Sequence, residues 1–393
     1  MSDDIDVDVA IVGGGIHGVG IAQAAAAAGH SVLLLEQTAA AAGSSSRSSK
    51  LIHGGLRYLE TGQFHLVRES LQERTTLLRL APSLVRLRRF YVPIYRQTRR
   101  RPWQLTLGLS LYALLSGFGH GAGFGTVPRS QWKSLDGLDL VGLQHVFFYH
   151  DAQTDDRAMT QAVLRSGQQL GVRLLCPAQF LSASLRDESV DVRFTSSDSE
   201  QQCRARVLVN AAGPWADRLA RQVTPAIAVP ALECVQGSHL IMESAAPDGL
   251  YYVESPRDGR AVFVMPWKEK LMIGTTETRF RGDPGTVAPT PAEIHYLLGV
   301  LKHYFPRFRS DSAAQISASF AGLRVLPGGA GHAFHRSRET LLTPDRTDRP
   351  RVLSIYGGKL TTWRAVSARA MALIASSLPR RAAIARTDHL SLS

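Results

Sequence analysis

Residues 6–18 read DVDVAIVGGGIHG, a short apolar, β-rich run that leads directly into closely spaced glycines. Gly13, Gly15 and Gly18 satisfy the Gly-x-Gly-x-x-Gly spacing. A run of this kind predicts a buried strand, a tight glycine turn and the start of a helix.

The residues that follow extend this pattern. Residues 19–28 are almost all alanine or another apolar type, which predicts a tightly packed helix, and Gly29 is placed to end it as a C-cap. A second buried strand is predicted over residues 31–35, with Glu36 at its end. Strand, glycine turn, helix, strand and acid together are typical of a dinucleotide site.

Each part of this pattern has a physical role. The glycines let the backbone approach a pyrophosphate, whose charge lies at the helix N-terminus. Glu36 lies 21 residues beyond Gly15, where its carboxylate accepts hydrogen bonds from ribose hydroxyls. The predicted cofactor contacts in this part of the chain are Gly13, Gly15, Ile16, His17, Gly18 and Glu36.

The next segment, residues 44–58, reads SSSRSSKLIHGGLRY and is polar, cationic and punctuated by glycine. A nicotinamide-type site usually continues in βαβ order after its second strand, whereas this chain enters a serine-rich stretch. We expect its first half to line the cofactor and its second half to border a reacting substrate. The predicted cofactor contacts are Ser44, Ser45, Ser46, Ser49, Lys50 and Ile52, and the predicted substrate contacts are His53, Arg57 and Tyr58.

Two later strands that run into small-residue turns also favour FAD over NAD. Residues 206–217 end in an Asn-Ala-Ala-Gly-Pro-Trp turn, and residues 352–362 place two glycines before a helix. A helix N-terminus carries about half a positive charge, which would stabilise an anionic reduced flavin. The predicted cofactor contacts here are Ala212, Gly213, Trp215, Gly358, Lys359, Leu360 and Thr361.

The placement of these elements predicts an α/β fold with a discontinuous Rossmann-like FAD-binding domain. The chain has 393 residues, enough for two intertwined domains. We assign residues 1–59, 151–225 and 316–393 to the FAD-binding domain. Residues 60–150 and 226–315 are predicted to form a second, substrate domain built on a mostly antiparallel sheet.

Charge and cysteine usage limit the possible partners and the compartment. The net charge is +12, and arginines cluster between Arg79 and Arg101, just before the apolar run 103–115. This arrangement suits either an anionic membrane surface or a buried helix beside a solvated basic loop. No nucleic-acid recognition motif accompanies the charge, so nucleic-acid binding is not expected. The three cysteines have neither metal-like nor disulfide-like spacing, which favours a reducing, cytoplasmic setting and no bound metal.

Over nearly its whole length the chain resembles the FAD-dependent glycerol-3-phosphate dehydrogenases, within the wider group of D-amino-acid-oxidase-like flavoproteins. The similarity is strongest at residues 48–60, SSKLIHGGLRYLE. Shorter matching stretches are Gly13–Ile16, Val209–Trp215, Gly237–His239, Gly274–Thr276, Gly322–Arg324 and Gly357–Thr362. The resemblance implies oxidation of sn-glycerol 3-phosphate to dihydroxyacetone phosphate, with hydride transfer from carbon 2 to flavin N5. It also implies that electrons pass to membrane quinone and that the enzyme is peripheral on the inner face of the cell membrane.

The residue types suit a phosphorylated polyol. A phosphate dianion needs cationic donors, and Arg324, Arg338 and Arg57 are the candidates. The hydroxyl proton on carbon 2 must leave with the hydride, and His239 is the natural acceptor. Lys359 and His53 are expected to orient the substrate oxygen or to share that role.

Several positions depart from the family pattern. His17 stands where the family usually has asparagine, Gln236 where lysine is common, and Glu277 where aspartate is usual. The helical domain that many members carry at the C-terminus is expected to be absent. Two other functions stay open: oxidation of an amino or 2-hydroxy acid, and a membrane-associated flavin protein without turnover. The oligomeric state is left open.

Overall fold

A computed structural model of the chain describes residues 5–117, 119, 121–310, 312–328 and 339–392. Within these residues the α-helices are α1 (Ile16–Ala27), α2 (Phe64–Leu80), α3 (Pro102–Leu115), α4 (Asp156–Gln169), α5 (Ala216–Ala220), α6 (Pro291–Tyr304) and α7 (Trp363–Ile374). The predicted first helix is confirmed.

The first sheet contains the glycine turn. Its strands are β1 (Ile5–Val12), β2 (Val32–Leu35), β7 (Arg173–Leu175), β8 (Ala178–Leu185), β9 (Val190–Ser196), β10 (Ser199–Asn210), β11 (Val223–Thr224), β18 (Leu341–Pro344) and β19 (Val352–Tyr356). In this sheet β1 lies between β2 and β10 and is parallel to both. Because β19 is also parallel to β10, the turns after β1, β10 and β19 meet at one edge.

The second sheet is mostly antiparallel, as predicted. Its strands are β3 (Leu51–Ile52), β4 (Val85–Tyr95), β5 (Gly125–Thr126), β6 (Leu143–Thr154), β12 (Leu232–Ala245), β13 (Leu250–Glu254), β14 (Ala261–Trp267), β15 (Lys270–Gly274), β16 (Thr278–Phe280) and β17 (Ile316–Pro327). β14 and β15 form a hairpin, and the parallel pair β4–β13 is an exception to the antiparallel order.

Two strands belong to a different sheet from the one that the predicted domain boundaries imply. β17 pairs with β12 along almost its whole length, and β3 pairs with β6. Both strands therefore extend the second sheet, although residues 1–59 and 316–393 were assigned to the FAD-binding domain. Backbone pairing over eleven registered positions decides the membership of β17, and the composition of the strand does not reveal that pairing.

The hydrophobic cores lie on the faces of both sheets. α1, α4 and α7 cover one face of the first sheet with a core that includes Val9, Ile21 and Trp363. α6 covers one face of the second sheet, and α2 and α3 pack against its opposite face. The hydroxyl Oγ of Ser44 donates to the carbonyl of Leu323 on β17 at 2.9 Å, so the serine-rich segment contacts the second sheet.

Candidate functional site

The glycine turn after β1 has no room for side chains. Gly13 has φ of +111°, and a Cβ placed there would lie 2.5 Å from the carbonyl oxygen of Ala211. A Cβ at Gly18 would lie 1.8 Å from the carbonyl oxygen of Gly13. Only glycine allows the turns after β1 and β10 to approach this closely, so the backbone forms the narrow cradle that a pyrophosphate requires.

The N-terminus of α1 supplies positive potential to this cradle. The helix begins after Gly15 with neither a side-chain cap nor an acidic residue in its first turn. Ser45 Oγ accepts a hydrogen bond from the Ile16 backbone N–H at 2.9 Å. The first turn of the helix therefore contributes no carboxylate of its own that would compete with an anionic ligand.

Glu36 lies beside the same turn. Its Oε2 accepts from the Gly14 N–H at 2.7 Å, and its Oε1 accepts from the Thr38 N–H at 2.8 Å. These contacts hold the carboxylate at the end of β2 and leave lone pairs available for a ribose. The acid and the glycine turn fit the adenosine and pyrophosphate parts of FAD.

A third turn closes the cradle from the C-terminal part of the chain. Gly358 has φ of +102°, and a Cβ there would lie 2.0 Å from Nε2 of His17. Burial, followed by the positive charge of Arg369, lowers the pKa of His17 to about 4. His17 is thus a neutral side chain pressed against the Gly357–Gly358 turn.

The turn after β10 is held by a fully buried amide. Asn210 Nδ2 donates to the carbonyl of Ala216 at 2.7 Å, and its Oδ1 accepts from the Ala212 N–H at 3.3 Å. Gly213 follows with φ of +57°. Trp215 lies close to the serine-rich segment, because a Cβ at Gly43 would be 3.7 Å from its ring.

The predicted serine contacts divide among different partners. Ser44 reaches β17, as described above, and Ser46 Oγ donates to the Gly43 carbonyl at 3.3 Å. Ser49 Oγ lies 3.0 Å from Nε2 of His239. Of the predicted serines, Ser45 contacts α1 and Ser49 contacts the second sheet, so the segment lies between the two sheets.

Lys50 was predicted to contact the cofactor, but its ammonium group forms an internal ion pair. Nζ donates to Asp156 Oδ1 at 2.7 Å and to the Ser46 carbonyl at 2.5 Å. Both side chains are almost fully buried. Asp156 opens α4, and its carboxylate also accepts from Ser48 Oγ at 2.7 Å. This partner could not be found from the sequence, because it lies 106 positions from Lys50.

Ile52, Leu360 and Thr361 lie where the chain crosses between the sheets. Ile52 is fully buried in the core under α1, and Leu360 packs against that core. Thr361 Oγ1 accepts from the His53 backbone N–H at 3.2 Å. The turn before α7 is thereby joined to the segment that carries His53.

His239 lies on β12 on the face of the second sheet that contacts the serine-rich segment. Its ring stacks on Phe320, and Gly274 leaves space for it, since a Cβ at Gly274 would be 2.1 Å from Cδ2 of His239. Burial, together with the positive charges of Lys50 and Arg324, lowers the pKa of His239 to about 3. Within the described residues Nδ1 has no hydrogen-bond partner. The imidazole is therefore neutral at pH 7 and able to accept a proton.

Arg324 shares that face with His239. In the β12–β17 ladder His239 pairs with Phe320, Gly237 with Gly322 and Val235 with Arg324, so alternate residues point to one side. Arg324 Nη2 donates to the Thr276 carbonyl at 3.0 Å. A Cβ at Gly237 would be 2.1 Å from Nη2, so glycine makes room for the guanidinium.

A second group of cations, Arg57 and Lys359, lies around the ring of Tyr58. Lys359 Nζ is 3.8 Å from the ring centroid of Tyr58, and the Arg57 guanidinium is 5.7 Å from the same centroid. The structure therefore brings Arg57, Tyr58 and Lys359 together. Arg338, the remaining predicted phosphate contact, lies outside the described residues.

A cleft of about 1330 Å³ adjoins these residues. One wall is apolar and includes Leu56, Leu105 and Tyr252, and the rim carries Arg99, Arg260 and Glu277. The cleft reaches Val235, which is paired with Arg324 in the sheet. Its position next to the predicted site did not follow from the sequence, because strands, helices and loops that are distant along the chain line it.

Comparisons with known proteins agree with this geometry. The profile of the FAD dependent oxidoreductase family (DAO) matches residues 8–372. A glycerol-3-phosphate dehydrogenase from Pseudomonas aeruginosa is 37% identical over 376 residues, which are 93% of this chain and 70% of that protein. A D-erythritol 1-phosphate dehydrogenase from Brucella abortus is 33% identical over 94% of this chain and 74% of its own length.

The fold of the chain is also similar to that of a solved flavoprotein structure. The glycerol-3-phosphate dehydrogenase from Bacillus halodurans, complexed with FAD, superposes with a TM-score of 0.77 at 25% sequence identity. The match covers 100% of this chain and 68% of that one. The two-sheet α/β architecture described above is therefore shared with a flavoprotein.

Proposed function

This chain belongs to the family of FAD dependent oxidoreductases, and we propose that it oxidises sn-glycerol 3-phosphate to dihydroxyacetone phosphate. The observation that carries the proposal is the neutral, buried imidazole of His239 on the same sheet face as the Arg324 guanidinium. FAD is its cofactor.

The residues of the site have separate proposed roles. FAD, when bound, would supply the acceptor for the hydride that leaves carbon 2 of the substrate. His239 is placed to take the hydroxyl proton, because burial and two neighbouring cations lower its pKa and leave the ring unprotonated at neutral pH. Arg324, Arg57 and Lys359 bind and orient the phosphorylated substrate, with Arg338 as a further phosphate contact. Gly13, Gly18, Glu36 and Gly358 hold the cofactor.

Anaerobic bleaching of the flavin tests this proposal. Glycerol 3-phosphate should bleach the yellow holoenzyme within the mixing time of a manual experiment. Bleaching by an amino or 2-hydroxy acid, with none by glycerol 3-phosphate, would replace the proposed substrate. A flavin that no small substrate bleaches would contradict turnover altogether.

A second substrate candidate is of the same chemical type. A relative of similar identity is named for D-erythritol 1-phosphate. The ratio of kcat/KM for the two phosphates, measured on one preparation, decides between them.

We further propose that the exposed face of α3 lies on an anionic membrane. Trp103, Leu107 and Leu114 are 66%, 64% and 58% exposed, whereas Leu105 and Leu109 on the other side of the helix are buried. The helix therefore packs by one face and presents an apolar stripe with the other. No helix among the described residues is long and apolar enough to span a bilayer.

Basic residues border this stripe. Arg96, Arg99 and Arg101 are exposed, and within the described part of the chain no carboxylate pairs with them. An apolar stripe with a cationic border is typical of a helix that lies on a membrane surface. Membrane quinone is then the proposed electron acceptor, and it leaves as quinol with the two electrons of the substrate.

Sedimentation with anionic liposomes tests the membrane proposal. The wild-type protein should appear in the pellet at low salt and much less at high salt, because salt screens the arginines. A Trp103→Ala, Leu107→Ala double variant should stay in the supernatant while its flavin is still bleached by substrate. Equal sedimentation of variant and wild type would exclude this face.

A further inference from the structure

The carboxylate of Glu293 lies directly behind the strand that carries His239. Residues on β12 alternate between two faces: Gly237 and His239 face the site, whereas Gln236 and Ser238 face α6. Glu293 is in the first turn of α6 and is almost fully buried. It therefore occupies the layer beneath the candidate site.

Two side chains of β12 and one from the turn between β15 and β16 donate to this carboxylate. Gln236 Nε2 donates to Oε2 at 2.6 Å, Ser238 Oγ donates to Oε2 at 2.9 Å, and Thr276 Oγ1 donates to Oε1 at 2.6 Å. The Thr290 N–H and hydroxyl also donate to it, as part of the capping box of α6. Within the described residues, no lysine, arginine or histidine forms an ion pair with Glu293.

The donors account for the charge state of Glu293. Burial on its own would raise the pKa of this carboxyl group. The hydrogen bonds from Thr276, Thr290 and Ser238 outweigh burial and lower its pKa. A carboxylate that accepts five hydrogen bonds stays ionised without a neighbouring cation.

The same hydrogen-bond network reaches Arg324 and His239. The Thr276 carbonyl accepts a hydrogen bond from Arg324 Nη2 at 3.0 Å, and Thr276 Oγ1 accepts from the Ser238 N–H at 2.8 Å. Ser238 is the residue before His239 in β12. Glu293 thus fixes the Thr276 turn, which orients Arg324, and the strand segment that carries His239.

We propose that Glu293 is a positioning residue for the substrate site, which acts through Thr276 and Ser238 on the orientation of Arg324 and His239. This inference rests on the proposed function, since it assigns Arg324 to substrate binding. Glu293 does not itself touch the substrate. A neutral amide in its place would present an NH₂ group to neighbours that are themselves donors, and the Thr276 turn would have to shift.

The test compares Glu293→Gln with Thr290→Ala. The Thr290 variant removes the side-chain cap of α6 but keeps the contacts of Glu293 to the sheet, so it is the matched control for lost helix stability. Glu293→Gln should keep its FAD and raise KM for glycerol 3-phosphate by about tenfold, with a smaller fall in kcat. Thr290→Ala should lower Tm while it leaves KM within about twofold of wild type.

If Glu293→Gln does not fold, a second variant tests whether Glu293 is a positioning residue. Thr276→Val removes the hydroxyl that links the carboxylate to the turn and that accepts from the Ser238 N–H, and should raise KM in the same direction. A KM within about twofold of wild type in the folded variant, Glu293→Gln or Thr276→Val, would overturn the inference. If the wild type is bleached by another substrate, the proposed function fails, and KM for that substrate is compared across the same variants.

Discussion

The imidazole of His239 lies parallel to the phenyl ring of Phe320, with centroids 4.8 Å apart and planes inclined by 13°. The two residues are direct partners in the β12–β17 ladder. The ammonium of Lys50 lies 4.9 Å from the Phe320 centroid. His239 itself is buried, and the positive charges of Lys50 and Arg324 add to the effect of that burial, which explains why the imidazole stays neutral.

His239 should be required for proton transfer and should not titrate near neutral pH. Because its pKa is lowered to about 3, the base is already deprotonated between pH 5 and 8, and its protonation removes activity only in strong acid. Replacement by asparagine should slow flavin reduction by about 10²–10⁴-fold, as expected for loss of a general base. Stopped-flow reduction under anaerobic conditions measures both effects. An acid limb centred near neutral pH that disappears in His239→Asn would contradict this assignment.

Arg324→Ala should raise KM for glycerol 3-phosphate and leave FAD content unchanged. The loss of one charge-assisted hydrogen bond is worth about 1.5–3 kcal/mol, or roughly 10–150-fold in KM. Arg193→Ala is the control, since that arginine is exposed and pairs with Glu200 on the neighbouring strand of the first sheet. Equal KM values for Arg324→Ala and wild type would remove Arg324 from the phosphate site.

Gly358→Ala should yield protein deficient in FAD. Its φ of +102° is strained for alanine, and the new Cβ would meet Nε2 of His17 at 2.0 Å. Gly299→Ala is the control, because a Cβ there meets nothing within 4 Å and the residue is inside α6. Alanine at that helical position should stabilise the protein by about 0.5–1 kcal/mol. The ratio of flavin to protein absorbance of the purified variants checks the prediction.

Lys50→Met should destabilise the protein far more than the double variant Lys50→Met, Asp156→Asn. The single change leaves the Asp156 carboxylate buried without its cation, which costs about 3–5 kcal/mol. The double variant removes both charges and should recover part of that loss. Urea unfolding of the three proteins measures the difference. A single variant as stable as wild type would show that the ion pair contributes nothing.

Much of the part of the site that binds the adenosine and pyrophosphate of FAD could be predicted from local sequence patterns. The glycine spacing, the alanine-rich helix and Glu36 lie within about 25 consecutive residues, so the whole pattern is visible in one short stretch of chain. Both the fold class and the cofactor FAD are confirmed. The roles assigned to single residues, among them Arg57, Tyr58 and His53, stay predictions.

The contacts around the proposed substrate site could be identified only from the tertiary structure. Lys50 was predicted to contact the cofactor, and only the fold places Asp156 beside it. Gln236 drew notice as a departure from the family pattern, yet only the pleat of β12 shows that it faces away from His239, toward Glu293. These contacts join positions that lie between 57 and 106 residues apart.

The sequence by itself determined the order of the elements, the glycine cradle and the type of cofactor, because backbone conformation and short-range spacing are properties of neighbouring residues. Only the tertiary structure decided which side chains share a face. Strand register sets that choice, and register depends on pairing between distant segments such as β12 and β17. The neutral state of His239 was decided there too, because it arises from burial against Phe320 and from two cations that belong to other strands and loops.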